Sequence, residues 1–366
     1  MSSALRGARF SIVAVTISAA VATLVVAASD DLREDVLTSL GTHETTGAAP
    51  GYVDDPVCSE CHAEIADSYA QVAMSRSFSR PSNAIEIESF GGKPFVHEKS
   101  RQHFEVTKRD GTLLFRRWQV AADGRPINVF EQTVDWILGS GIHARTYLYR
   151  TPSGELYQLP IAWYSESGRW GMAPGYDRAD HEGVSRRVRH ECMFCHNAYP
   201  EIAADTLGYW RSQSFPQTLP HGIGCQRCHG PGAKHVRSAF EGTEDDAKRS
   251  IVNPAATSSS LSRDVCYGCH MQPVVAVPGV RRFGRDVYAF RPGETLSEYM
   301  LHLDVEDRSR TRDERFEINH HPYRLEQSAC FSKSEGKLSC LSCHDPHRKV
   351  AADERASHYR NVCSTC

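Results

Sequence analysis

Five times the chain reads Cys-x-x-Cys-His: Cys58-Ser-Glu-Cys61-His62, Cys192-Met-Phe-Cys195-His196, Cys225-Gln-Arg-Cys228-His229, Cys266-Tyr-Gly-Cys269-His270 and Cys340-Leu-Ser-Cys343-His344. A further pair, Cys363-Ser-Thr-Cys366, ends the sequence where a His would complete a sixth motif, so a chain cut short inside that motif is expected. Of the 13 cysteines only Cys330 stands outside these pairs, and it is expected as a buried free thiol. Chance placement at this composition gives roughly 0.02 complete copies, so the repetition carries chemistry.

Two thiols on one short turn can reach the two vinyl groups along one porphyrin edge, and the adjacent imidazole is then delivered to the iron. Other uses of paired cysteines fit less well. Zinc knuckles do not need a His after every second Cys. A thioredoxin-type pair is one motif in a βαβ setting, not six in an array. A disulfide framework has no use for an imidazole at one fixed offset. The expected cofactor is haem c, at five complete sites and a truncated sixth. Its thioether donors are Cys58, Cys61, Cys192, Cys195, Cys225, Cys228, Cys266, Cys269, Cys340, Cys343, Cys363 and Cys366; its proximal ligands are His62, His196, His229, His270 and His344.

With 18 His and five in motifs, thirteen remain, enough to give each iron a second imidazole. Bis-His coordination saturates the metal and suits electron transfer. His235 follows Gly230-Pro-Gly-Ala-Lys, a sharp turn after which a short helix can aim it at a neighbouring centre. His347 comes three residues after His344, near the same cluster but not under the same iron. His143 ends Gly139-Ser-Gly-Ile-His143, where glycine permits close backbone approach. His320, beside His321, follows the strand-like Phe316-Glu-Ile-Asn. These four are the candidate distal ligands; His97, His103 and His190 are expected in structural roles. Arg outnumbers Lys 34 to 8, and Arg101, Arg145, Arg211, Arg227 and Arg324 are candidate partners for haem propionates, weighed against a solvated role for each.

Arg6 and Arg9 precede an uncharged stretch from Phe10 to Ala28, and charge returns at Asp30. Residues 1–28 therefore read as an export signal with a small-residue cleavage site at Val26-Ala27-Ala28. The alternative is an uncleaved anchor, the one case in which the chain meets a membrane. Both place the remainder in the periplasm or another extracytoplasmic space. A net charge of −3 leaves no footprint for nucleic acid, and 24% charged residues exclude a polytopic membrane protein.

Residues 29–56 read as a polar lead-in and 57–90 as a first haem segment. Residues 91–175 read as a β-rich insert, with strands around Phe104, Leu113, Val129, Thr146 and Leu156 and hairpin turns at Asp110-Gly111, Asp123-Gly124 and Ser153-Gly154. Residues 176–366 are the haem-dense part, with helices expected at Glu201–Ser214 and Ala233–Phe240. The expected fold class is a multihaem cytochrome: mainly short helices and loops packed around covalent haems, the β-rich insert apart.

Several strings carry a family likeness: Gly139-Ser-Gly-Ile-His-Ala-Arg-Thr-Tyr-Leu, Gly222-Ile-Gly-Cys-Gln-Arg-Cys-His-Gly-Pro-Gly-Ala-Lys-His235, Tyr323-Arg-Leu-Glu-Gln-Ser-Ala-Cys330 and Leu338-Ser-Cys-Leu-Ser-Cys-His-Asp-Pro-His347. From about Val57 to Cys366 the sequence resembles multihaem c-type cytochromes of the cytochrome c-552/4 type, particularly bacterial forms with tetratricopeptide repeats downstream. The resemblance implies periplasmic electron transfer through close-packed haems, with redox proteins as partners, and His143, His235, His320 and His347 as distal ligands. The competing reading is a haem enzyme with one open iron acting on a small nitrogen or sulfur oxyanion, for which Tyr176, Asp177 and His181 are the candidate residues. A third is a docking subunit that feeds electrons to an enzyme.

Overall fold

Between Phe78 and Val188 the chain forms ten strands, the longer ones on alternating apolar residues: β1 (Phe78–Ser79), β2 (Phe95–His97), β3 (Gln102–Arg109), β4 (Thr112–Val120), β5 (Pro126–Thr133), β6 (Trp136–Leu138), β7 (Ala144–Arg150), β8 (Leu156–Tyr164), β9 (Arg169–Met172) and β10 (Arg186–Val188). The computed structural model describes residues 35–202, 213–271, 280–303, 311 and 321–365. It divides into residues 1–43 and 44–366. In the first unit the described residues form one helical turn, Val36–Ser39, where the Asp35 carboxylate accepts from the Leu37 N–H (3.2 Å). The expected export segment lies outside the described residues. Among the described residues no helix is long and apolar enough to cross a membrane.

In the second unit the strands form two antiparallel sheets. One runs β1-β6-β7-β8-β10, with β9 also on β8; the other runs β2-β3-β4-β5. Asp110 and Gly111 both take positive φ (48° and 77°), which the two-residue turn between β3 and β4 demands. The six-stranded sheet is buried on both faces. Trp136, Leu148, Leu156 and Val188 join Phe78 in a core shared with Met193, Phe194, Tyr267 and the partly buried Cys195, Cys266, Cys269 and Cys340. Their neighbours Ile137, Tyr147, Leu159 and Ile161 point the other way, into a core with Phe104, Val106, Leu113 and Phe115 of the four-stranded sheet. Period-two alternation thus sorts one strand's residues between two interiors.

This corrects the expected fold class. The chain is not mainly short helices and loops packed around cofactors: a β-sandwich with its own side-chain core is a principal body, and it extends beyond the expected 91–175 boundaries to β1 and β10. The expected strands lie within β3, β4, β5, β7 and β8. The shorter β1, β2, β6, β9 and β10 have two to four residues each, too few to display alternation. The latter half of the expected lead-in is packed as well, with Ala49 and Tyr52 in the first core.

The cysteine motifs sit on short helical pieces. His190–His196, Gln226–His229 and Ser259–His270 each end on the motif His, and Ala233–Glu241 matches the expected helix after Gly-Pro-Gly. Ser258 caps the third of these by accepting from Leu261 N–H (3.3 Å). The expected helix from Glu201 falls largely outside the described residues.

Candidate cofactor-binding centre

One helical turn arranges each motif. Residues i, i+3 and i+4 of a helix share a face, so two cysteines and the following His lie together. The turn closes through the His N–H and the first cysteine's carbonyl in His62–Cys58 (3.0 Å), His229–Cys225 (3.1 Å) and His344–Cys340 (2.9 Å). Among the described residues no cysteine forms a disulfide. Burial raises the Cys228 thiol to about 11.

Two motif histidines face a histidine from outside any motif. The ring centroids of His62 and His235 are 6.3 Å apart with planes 14° from parallel; those of His229 and His347 lie 5.9 Å apart at 12°. Two metal–nitrogen bonds of about 2 Å and two ring half-widths of about 1.1 Å separate axial imidazoles by roughly 6 Å, so both pairs fit one metal between them. The outer nitrogens are held by main chain. His235 Nδ1 lies 2.9 Å from the Ala247 carbonyl and His229 Nδ1 2.8 Å from that of Val252. A carbonyl can only accept, so the proton sits on Nδ1 and leaves Nε2 as the donor atom for a metal. Burial lowers the His229 and His270 pKa values, and lowers His196 to about 4, which keeps these rings neutral. The donor set therefore fits an axially ligated haem at the first and third motifs.

Residues between the cysteines lock the motifs together. Gln226 accepts from the N–H groups of Val53 (3.1 Å) and Gly232 (2.9 Å) and donates to the Val53 carbonyl (2.6 Å) and Asp55 Oδ1 (3.1 Å). One carboxylate oxygen of Asp55 and the sulfurs of Cys58 and Cys225 lie within 4.8 Å of one another. Cys195 Sγ reaches the Gly268 carbonyl (4.0 Å) and Cys269 Sγ the Phe194 carbonyl (3.9 Å), tying the second motif to the fourth. Cys266 meets Cys340, tying the fourth to the fifth.

The approach to the third motif depends on Gly222. Its φ is +48°, and a Cβ there would lie 2.0 Å from the Ser75 carbonyl oxygen. Gly222→Ala is expected to cost about 3 kcal/mol from steric overlap and left-handed strain together. Thermal unfolding should show a midpoint several degrees lower, whereas Gly92→Ala, with open space around its Cβ position, should leave it unchanged.

Other expected residues are placed elsewhere. His143 is exposed between β6 and β7 and pairs with Glu166 (2.9 Å), away from the motif turns described above. His320 and Cys366 lie outside the described residues. Cys330 is exposed on Ala329–Lys333 rather than buried, because this five-residue helix lies at the surface. Arg145 is spoken for: it forms a buried ion pair with Glu88. Arg101 is exposed at a positive φ of 54°, and Arg211 lies outside the described residues. His97 bonds Ser100 (2.8 Å) and Asp177 (3.2 Å), His103 stacks on Trp118, and His190 is buried against Phe215. Tyr176 and His181 do come together, ring centroids 5.8 Å apart, and His181 is 5.6 Å from His97. They adjoin the sandwich core, whose members include no motif residue. The carbonyls of Ala247 and Val252 were invisible to sequence reading, since any residue supplies a carbonyl.

No family model, curated protein or solved structure matches the chain.

Proposed function

We propose that the chain binds haem c at its Cys-x-x-Cys-His motifs and transfers electrons between redox proteins outside the cytoplasm. The observation that carries this reading is the joining of His62 to His235 and of His229 to His347, each a motif imidazole opposite a non-motif one. A thioether-held haem supplies a one-electron couple. The cysteines anchor it. His62 with His235, and His229 with His347, would hold the iron at two centres through two imidazoles each, which would favour electron transfer over binding of a substrate to iron. The Ala247 and Val252 carbonyls keep the proton on Nδ1, and the core around Phe194 and Tyr267 packs against Cys195, Cys266, Cys269 and Cys340. The likeness to cytochromes of the c-552/4 type supports the same reading.

The test is direct. Expressed in a host that exports it and attaches haem, the chain should carry one haem mass per complete motif through denaturation, with a haemochrome spectrum to match. A colourless chain without added mass overturns the reading.

A further inference from the structure

Three motifs converge on one buried cation. The Arg227 guanidinium lies between the rings of Phe194 and Tyr199, 4.3 and 4.2 Å from their centroids. Phe194 is an inner residue of the second motif and Arg227 of the third. The arginine is 8% exposed; Nη2 donates to the Phe194 carbonyl, while Nε and Nη1 have no hydrogen-bond acceptor among the described residues. Cys269 Sγ, of the fourth motif, reaches the same Phe194 carbonyl (3.9 Å), and Cys195 Sγ reaches the Gly268 carbonyl (4.0 Å).

An isolated buried charge is costly, and a side-chain counter-ion is the usual remedy. Here the neighbours are ring faces and motif sulfurs. Propionates leave a porphyrin at the edge opposite its thioether bonds, so a guanidinium that shares the Phe194 carbonyl with Cys269 Sγ is badly placed to hold the propionates of the centres it adjoins. It is well placed to act on the electron. A centre that accepts one electron from a reduced protein loses one unit of positive charge, and a fixed cation nearby in a low-dielectric core favours that state.

We propose that Arg227 is a potential-setting residue: its charge, where the motifs at Cys192, Cys225 and Cys266 meet, makes that junction the highest-potential part of the chain, where electrons collect before passing to an oxidised partner. This rests on the haem reading above. No bond is made or broken; one electron enters and one leaves.

The experiment is a potentiometric titration of the haem-loaded protein, with covalent haem counted by mass. Arg227→Met should lower the highest-potential step at least tenfold in its reduction equilibrium, ~59 mV for one electron. Arg227→Lys, which keeps the charge, should fall much less. Unchanged potentials in a fully loaded Met variant, or a Lys variant that falls as far, overturn the inference. Should the Met variant not load, Phe194→Leu decides: it opens the box to water, and the same step must drop. An unsubstituted chain without covalent haem fails the underlying reading instead.

Discussion

A His235→Ala chain, loaded, reduced and exposed to carbon monoxide, is expected to bind one more equivalent of the gas than the unsubstituted protein. His235 is half-buried on Ala233–Glu241, with its Nδ1 engaged by the Ala247 carbonyl and its ring opposite His62. Alanine leaves the first centre with His62 alone, and an open axial position takes a small ligand. The oxidised sample should also gain a high-spin electron paramagnetic resonance signal. His347→Ala should do the same at the centre of His229. His143→Ala, which loses only an exposed contact with Glu166, should do neither. A His235→Ala protein with unaltered gas binding would falsify the assigned pair.

Glu88→Ala should destabilise the sandwich by about 3–5 kcal/mol, since it strands a buried guanidinium. Arg145 reaches Glu88 through Nε (2.5 Å) and Nη2, and donates through Nη1 to the Ile85 carbonyl (2.9 Å); the Tyr147 hydroxyl also donates to Glu88 (2.5 Å). Burial alone would raise the carboxyl's pKa, but hydrogen bonds from Arg145 and Tyr147, with the arginine's charge, hold it below the ordinary value. A depressed folded-state value means that the pair's stabilisation is present above the unfolded glutamate pKa of about 4.3 and is lost as pH falls through the folded one. Urea titrations across that acid range should therefore show a shallower pH dependence in Glu88→Ala than in the unsubstituted chain. Covalent haem content should stay the same in both, because the pair belongs to the sandwich rather than to the motifs.

The motif turns were legible because i, i+3, i+4 is a local pattern that one helical turn converts into a common face. His235 was legible from the Gly-Pro-Gly turn before its helix. Its partner His62 was not, for that pairing joins residues far apart in the chain. Strands β3, β4, β5, β7 and β8 announced themselves through alternation and Asp-Gly or Ser-Gly turns. Their rank in the fold stayed hidden. A sheet apolar on both faces blurs the alternation that marks a half-exposed one, and the two-residue β1 has no pattern to read. Arg227 was noticed only as one of five arginines. Its box joins inner positions of two motifs, where any residue satisfies the spacing, to Tyr199 beyond the second motif.

The six-stranded sheet gives Ile137, Tyr147 and Ile161 an interior without a single motif side chain. On the function proposed above, that interior would need no prosthetic group in order to form, since none of its side chains belongs to a motif. Haem attachment, on the same reading, would then proceed beside a finished partition, and errors in thiol chemistry on one side need not unravel the other.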